Sequence, residues 1–77
     1  MVKLPAISGR DAVKAFEKDG WKVVRRAKSR HIIMKKEGMP TILSIPEHKV
    51  LDRGLLRALM RDAYISIEKF NKLLKKG

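Results

Sequence analysis

Residues 21–45 read WKVVRRAKSRHIIMKKEGMPTILSI, and this stretch decides the fold. Three runs within it are rich in β-branched and aromatic side chains, which is typical of strands. These runs are residues 21–27, 31–36 and 41–45. The breaks between them are short, and the second contains Gly38 and Pro40. Because a parallel crossover needs a dozen residues or more, the sequence predicts a three-stranded antiparallel meander, whose third strand is expected to stop at Pro46.

Helical patterns lie on both sides of this predicted sheet. Before it, Ser8 is expected to cap a helix over residues 9–19, which Gly20 ends in a left-handed conformation. After it, Asp52 is expected to cap a second helix and Ser66 to begin a short third one. Apolar residues at three- and four-residue spacing give each helix one buried face. The sequence therefore predicts an α+β fold in the order α-β-β-β-α-α, with the helices on one face of the sheet.

The size and charge of the chain restrict its partners. With 77 residues, we expect a single domain over residues 1–77, because a chain this short has too little interior for two. The 19 lysines and arginines against 8 acidic residues give a formal net charge of +11. A surface this positive attracts polyanions and binds them through counterion release, so nucleic acid is the leading partner class. A membrane surface is less expected, because no segment separates cations cleanly from large apolar residues.

Several classes of site are excluded or disfavoured. The chain has no cysteine, which excludes disulfides, thiolate metal sites and cysteine nucleophiles. Its apolar runs are far shorter than the roughly 20 residues of a membrane helix, and its start lacks a signal-peptide core, so we expect a cytoplasmic protein. The acidic residues show no DxD or ExxH spacing, and adjacent strand residues such as Glu47 and His48 point to opposite faces. We therefore expect no metal and no other cofactor.

RNA cleavage without a metal needs only a base for the 2′-hydroxyl, an acid for the leaving oxygen and cations for the developing charge. Histidine can take either proton role near neutral pH. His31 opens the second predicted strand, and alternation places it with Lys35 on one face. Ile32 and Met34 lie on the other face, so His31 is exposed beside cations if these two face the helices. On spacing alone, however, a strand histidine is more often an ordinary surface or core-edge residue, and the same holds for His48.

Basic residues surround His31 in the predicted sheet. They are Arg25, Arg26, Lys28, Arg30, Lys35 and Lys36, with Ser29 in the same loop as Lys28 and Arg30. Each group alone could be a solvated face, but together with the one-sided net charge they favour RNA binding. Trp21 could stack on a base, although a single aromatic residue after a helix-ending glycine is more often part of the core. A DNA-binding domain is a weaker alternative, since the second helix offers only Arg57 and Arg61 to read bases.

Several motifs, taken in order, resemble those of the HicA toxin family. The run FEKDGW at residues 16–21 resembles the "L-E-x-x-G-F" end of the family's first helix, and Val24-Arg25 its "V-R" strand. The segment SRHI at residues 29–32 is similar to "G-S-H/N-H-x", and IPEH at residues 45–48 to "V-P-x-H". Residues 54–63 resemble "G-T-L-R-x-I-L-K-Q-A". Each motif alone is weak, but the ordered set, spread over nearly the whole chain, is fairly specific.

This resemblance implies a fold similar to double-stranded RNA-binding domains and a type II toxin that cleaves mRNA and arrests growth. It implies neutralisation by a HicB antitoxin that covers the active face. It assigns the catalytic role to His31 and at most a supporting role to His48. In such an enzyme Arg25, Arg26, Lys28, Ser29, Arg30 and Lys35 are the expected RNA-binding residues. The alternative is a non-catalytic RNA-binding module of the same fold.

Overall fold

The computed structural model describes residues 4–27 and 30–75 and has the predicted order of elements. The elements are α1 (Gly9–Lys18), β1 (Lys22–Arg26), β2 (His31–Lys35), β3 (Leu43–Pro46), α2 (Arg53–Asp62) and α3 (Ile67–Lys75). The strands lie in the order β1-β2-β3 with both pairings antiparallel, so the predicted α+β fold and meander are confirmed. Within these described ranges, no helix is long and apolar enough to cross a membrane.

The element ends differ slightly from the predicted ones. Asp19 caps the C-terminus of α1 instead of belonging to it. The third strand was expected over residues 41–45 with Pro46 as its stop, but β3 includes Pro46, which lies opposite His31. This expectation was wrong because β3 is an edge strand, where a proline lacking its N–H can remain within the strand.

The helices begin as their sequences predict. In each case a side-chain oxygen accepts a hydrogen bond from a backbone N–H that has no partner inside the helix. The three bonds join Asp11 N to Ser8 Oγ, Leu55 N to Asp52 Oδ2 and Lys69 N to Ser66 Oγ, each at 3.1 Å. Gly20 follows α1 with a φ of 102°, the left-handed conformation expected at that position.

The hydrophobic core lies between the helices and one face of the sheet. The fully buried strand residues are Ile32, Met34, Leu43 and Ile45. Phe16 of α1 and Phe70 of α3 are also fully buried, with ring centroids 5.3 Å apart. Trp21 is only 1% exposed, which confirms that it is a core residue and does not stack on a base.

One carboxylate links three elements at the end of β2 remote from His31. The Asp19 side chain is 6% exposed, and its oxygens lie 2.9 Å from Lys69 Nζ and 3.3 Å from Lys36 Nζ. Burial raises the pKa of this carboxyl, but the hydrogen bonds and charges of Lys69 and Lys36 outweigh burial and lower the pKa of Asp19 below its usual 3.8. The ionised carboxylate therefore joins α1, the end of β2 and α3.

Gly9 brings the start of α1 directly against the end of β3. Its N–H donates to the carbonyl of His48 at 2.9 Å. A Cβ at this position would overlap the carbonyl oxygen of Pro46 and lie 3.2 Å from the Cα of Glu47. Backbone atoms cannot rotate away as a side chain can, so only glycine permits this approach. The contact fixes residues 46–48 relative to α1.

We expect Gly9→Ala to lower the free energy of unfolding by about 2–3 kcal/mol, because the added methyl must push α1 away from β3. Gly54→Ala is the matched control: its Cβ would meet only the Asp52 carboxylate, at 3.0 Å, and the expected change is below about 1 kcal/mol. Denaturant unfolding of both variants measures the difference. Equal midpoints for the two variants would show that the close approach at Gly9 is not a constraint.

Candidate nucleic-acid interface

The side of the sheet turned away from the helices carries His31 together with several cations. Pairing places Arg25 and Ser44 opposite Ile33, and Lys22 opposite Lys35. Directly opposed residues of neighbouring strands share a face of the sheet. We call this set the outer face; it consists of Lys22, Arg25, His31, Ile33, Lys35, Ser44 and Pro46.

A bulge in β1 determines which of its two arginines lies on the outer face. The pairing shifts after Val23 and leaves Val24 as the extra residue. As a result Arg25 lies on the outer face, whereas Arg26 lies opposite Ile32, which is buried on the helix side. Without the bulge the two arginines would exchange faces, because side chains alternate with a period of two. The two arginines expected to bind RNA therefore lie on different sides of the sheet.

His31 is partly exposed and opens β2 opposite Pro46. The next residue, Ile32, is 1% exposed, as the predicted alternation requires. The His31 carbonyl accepts a hydrogen bond from Ala27 N–H at 2.8 Å, which closes the β1–β2 hairpin. Arg25 is thereby diagonal to His31 across the strand pair, a separation that a long side chain can span.

The hairpin loop contains three of the residues expected to bind RNA. Lys28 and Ser29 lie outside the described residues. Arg30 is exposed and has a φ of 61°, a left-handed conformation that costs a residue with a Cβ about 1 kcal/mol. Its N–H donates to Ala27 O at 3.0 Å, and its carbonyl accepts from Glu47 N–H at 2.9 Å. These two bonds hold Arg30 in place between the hairpin and the segment after β3.

A cleft at this end of the sheet brings together groups from separate parts of the chain. It is lined by Ser8, Arg10, Arg30, Glu47, His48 and Lys49. Arg10 Nε and Arg26 Nη1 each lie 3.7 Å from Glu47 Oε2. Sequence reasoning missed Arg10 and Glu47, because their meeting depends on the close packing of α1 against β3. A larger groove between α1 and α3 contains none of the predicted site residues.

The remaining predicted residues lie in three different places. Lys35 is exposed on the outer face, whereas Lys36 pairs with Asp19 at the far end of β2. His48 is exposed and lines the cleft. Among residues 4–27 and 30–75, no three histidine, aspartate or glutamate side chains are grouped so that they could hold a metal ion.

We expect Arg30→Gly to be more stable than Arg30→Ala by about 1 kcal/mol, because both remove the guanidinium but only glycine adopts this φ without steric cost. Denaturant unfolding of the two variants measures this difference. An alanine variant as stable as the glycine variant would mean that the Arg30 backbone carries no strain.

Comparison with known protein families matches residues 9–65 to the family described as "HicA toxin of bacterial toxin-antitoxin". The match begins at the first residue of α1, includes the whole sheet with His31 and His48, and ends just beyond α2. A search of curated proteins found no match. Because the family match covers most of the chain, the protein belongs to the HicA toxin family of bacterial toxin–antitoxin systems, in which a toxin is partnered by an antitoxin.

Proposed function

We propose that this toxin is an endoribonuclease that cleaves mRNA without a metal ion and uses His31 to transfer a proton. The observation that carries the proposal is the position of His31, partly exposed on a face of the sheet that also holds Arg25 and Lys35. A histidine buried under the helices could not reach RNA. A histidine on a neutral face would lack the cations that hold a phosphate.

The proposed reaction is attack of a ribose 2′-oxygen on the adjacent phosphorus. The new O–P bond forms as the bond to the 5′-oxygen breaks, leaving a 2′,3′-cyclic phosphate and a 5′-hydroxyl. One proton leaves the 2′-hydroxyl and one reaches the 5′-oxygen, and an imidazole can perform either transfer near neutral pH. His31 performs one of them. Arg25 and Lys35 stabilise the extra negative charge that develops on the phosphoryl oxygens.

The proposed substrate is RNA because only RNA supplies the attacking 2′-hydroxyl. The net charge of +11 attracts the polyanion to the protein without regard to sequence. Lys28, Ser29, Arg30 and Arg26 are proposed to contact the phosphates on either side of the scissile bond, with His48 in support. A HicB-type antitoxin that covers the outer face would block the access of RNA to His31. Because the proposed substrate is mRNA, the toxin is proposed to act in the cytoplasm.

Replacing His31 by alanine is expected to reduce RNA cleavage by at least about 100-fold, because one proton transfer loses its carrier. Binding of the same RNA should change less than about threefold, since the cations remain. His48→Ala is the matched control, with an expected loss of less than about tenfold. Gel analysis of a labelled RNA incubated with purified protein gives the rates, and growth after induction gives the effect in cells.

The outcomes separate the two candidate functions. If His31→Ala cleaves as well as the parent, the assignment of His31 is wrong. If the parent binds RNA with a strong salt dependence but leaves it intact, the protein is a non-catalytic RNA-binding module.

A further inference from the structure

We propose that Arg10 and Arg26 form a phosphate-binding subsite that the Glu47 carboxylate occupies in the free protein and that an RNA phosphate takes over by displacing it. This deepens the proposed function and rests on its RNA-binding part, but it does not depend on cleavage. It gives Arg10, on α1, a direct role in binding RNA. In this proposal the Glu47 carboxylate competes with an RNA phosphate for the two arginines.

The two ion pairs of Glu47 are long and share one carboxylate oxygen. One oxygen, Glu47 Oε2, lies 3.7 Å from both Arg10 Nε and Arg26 Nη1. These distances are too long for hydrogen bonds, so the carboxylate is attracted to both guanidiniums without a tight bond to either. The arginine side chains are 75% and 62% exposed, and such exposed ion pairs contribute little free energy. A phosphate can therefore replace the carboxylate at low cost.

Backbone hydrogen bonds bring the segments that carry these side chains together. Arg10 follows Gly9, whose N–H donates to His48 O at 2.9 Å. On the other side, Glu47 N–H donates to Arg30 O, also at 2.9 Å. The main chain thus places the start of α1, the end of β1 and residue 47 close together, so both arginine side chains can reach the same point whether or not the carboxylate is there. Guanidiniums that converge on one oxygen match the recognition of phosphate.

The residues around Glu47 are mostly basic. Among the described residues that line the cleft, Glu47 is the one acid, whereas Arg10, Arg30 and Lys49 are basic. The Glu47 side chain is only 16% exposed, so its carboxylate lies among these cations and not out in the solvent. A carboxylate here lowers the mutual repulsion of the cations in the free protein. The same carboxylate repels an RNA phosphate that enters the cleft. This repulsion is relieved when the Glu47 side chain rotates out of the cleft into solvent.

Glu47→Gln tests the proposal in a His31→Ala background, where the RNA remains intact. Binding is measured with a fluorescent single-stranded oligoribonucleotide at several salt concentrations. We expect Glu47→Gln to tighten binding about fivefold, because the competing charge is removed. Glu37→Gln, in the turn at the opposite end of β2, makes the same charge change away from the arginines and should tighten binding less than about twofold.

Arg10→Gln provides the second measurement, and its 75% exposed side chain makes a folding defect unexpected. It should weaken binding several-fold and reduce the slope of log K against log salt by about 0.7, the loss of one phosphate contact. The loss should be larger when Glu47 is already glutamine, since no carboxylate then competes for Arg10.

The possible results distinguish the phosphate subsite from the proposed ribonuclease activity. Equal effects of Glu47→Gln and Glu37→Gln, weaker binding by Glu47→Gln, or an unchanged salt slope in Arg10→Gln would each overturn the subsite while leaving cleavage at His31 intact. A parent that does not bind the RNA contradicts both proposals. If the variants change RNA binding as expected but the parent protein does not cleave RNA, only the proposed ribonuclease activity is contradicted.

Discussion

The two-residue period of the strands is the constraint on which the site depends. Ile32, Met34, Leu43 and Ile45 are buried on the helix side of β2 and β3. Burying an aliphatic side chain of this size stabilises the fold by about 1.5–3 kcal/mol, so a one-residue slip that exposed all four would cost roughly the whole stability of a small domain. This hydrophobic core holds His31 on the outer face through the alternation of β2.

The concentration of positive charge lowers the stability of the fold. A net charge of +11 on so small a body favours RNA binding and destabilises the folded state through repulsion. Two carboxylates offset this repulsion at opposite ends of β2. Asp19 is tied to Lys36 and Lys69 at short distance and strengthens the fold, whereas Glu47 is loosely placed between Arg10 and Arg26. The difference in distance separates a structural carboxylate from one that a phosphate can displace.

The sequence predicts features that depend on near neighbours in the chain. Ser8 and Asp52 cap their helices as expected, α3 begins after Ser66 as expected, and the alternation around Ile32 gives the orientation of β2. It does not predict the bulge at Val24, because a bulge is decided by packing across strands.

The residue types also do not indicate where the backbone adopts an unusual conformation. Arg30 and Tyr64 take left-handed conformations usually left to glycine or asparagine, with φ values of 61° and 55°. The Arg10–Glu47 contact, likewise, follows from the approach of α1 to β3 over a long sequence separation. For the candidate site, the sequence thus indicates His31 and the nearby cations, but the faces on which Arg25 and Arg26 lie become visible only in the structure.

The central claim is that RNA lies on the outer face of the sheet and in the adjoining cleft. Backbone amide NMR signals of the His31→Ala protein, followed during titration with a short single-stranded RNA, test it most directly. If RNA binds there, the largest shifts are expected at Lys22, Arg25 and Lys35 and at the residues of the cleft. Shifts concentrated instead on α2, around Arg57 and Arg61, would contradict it.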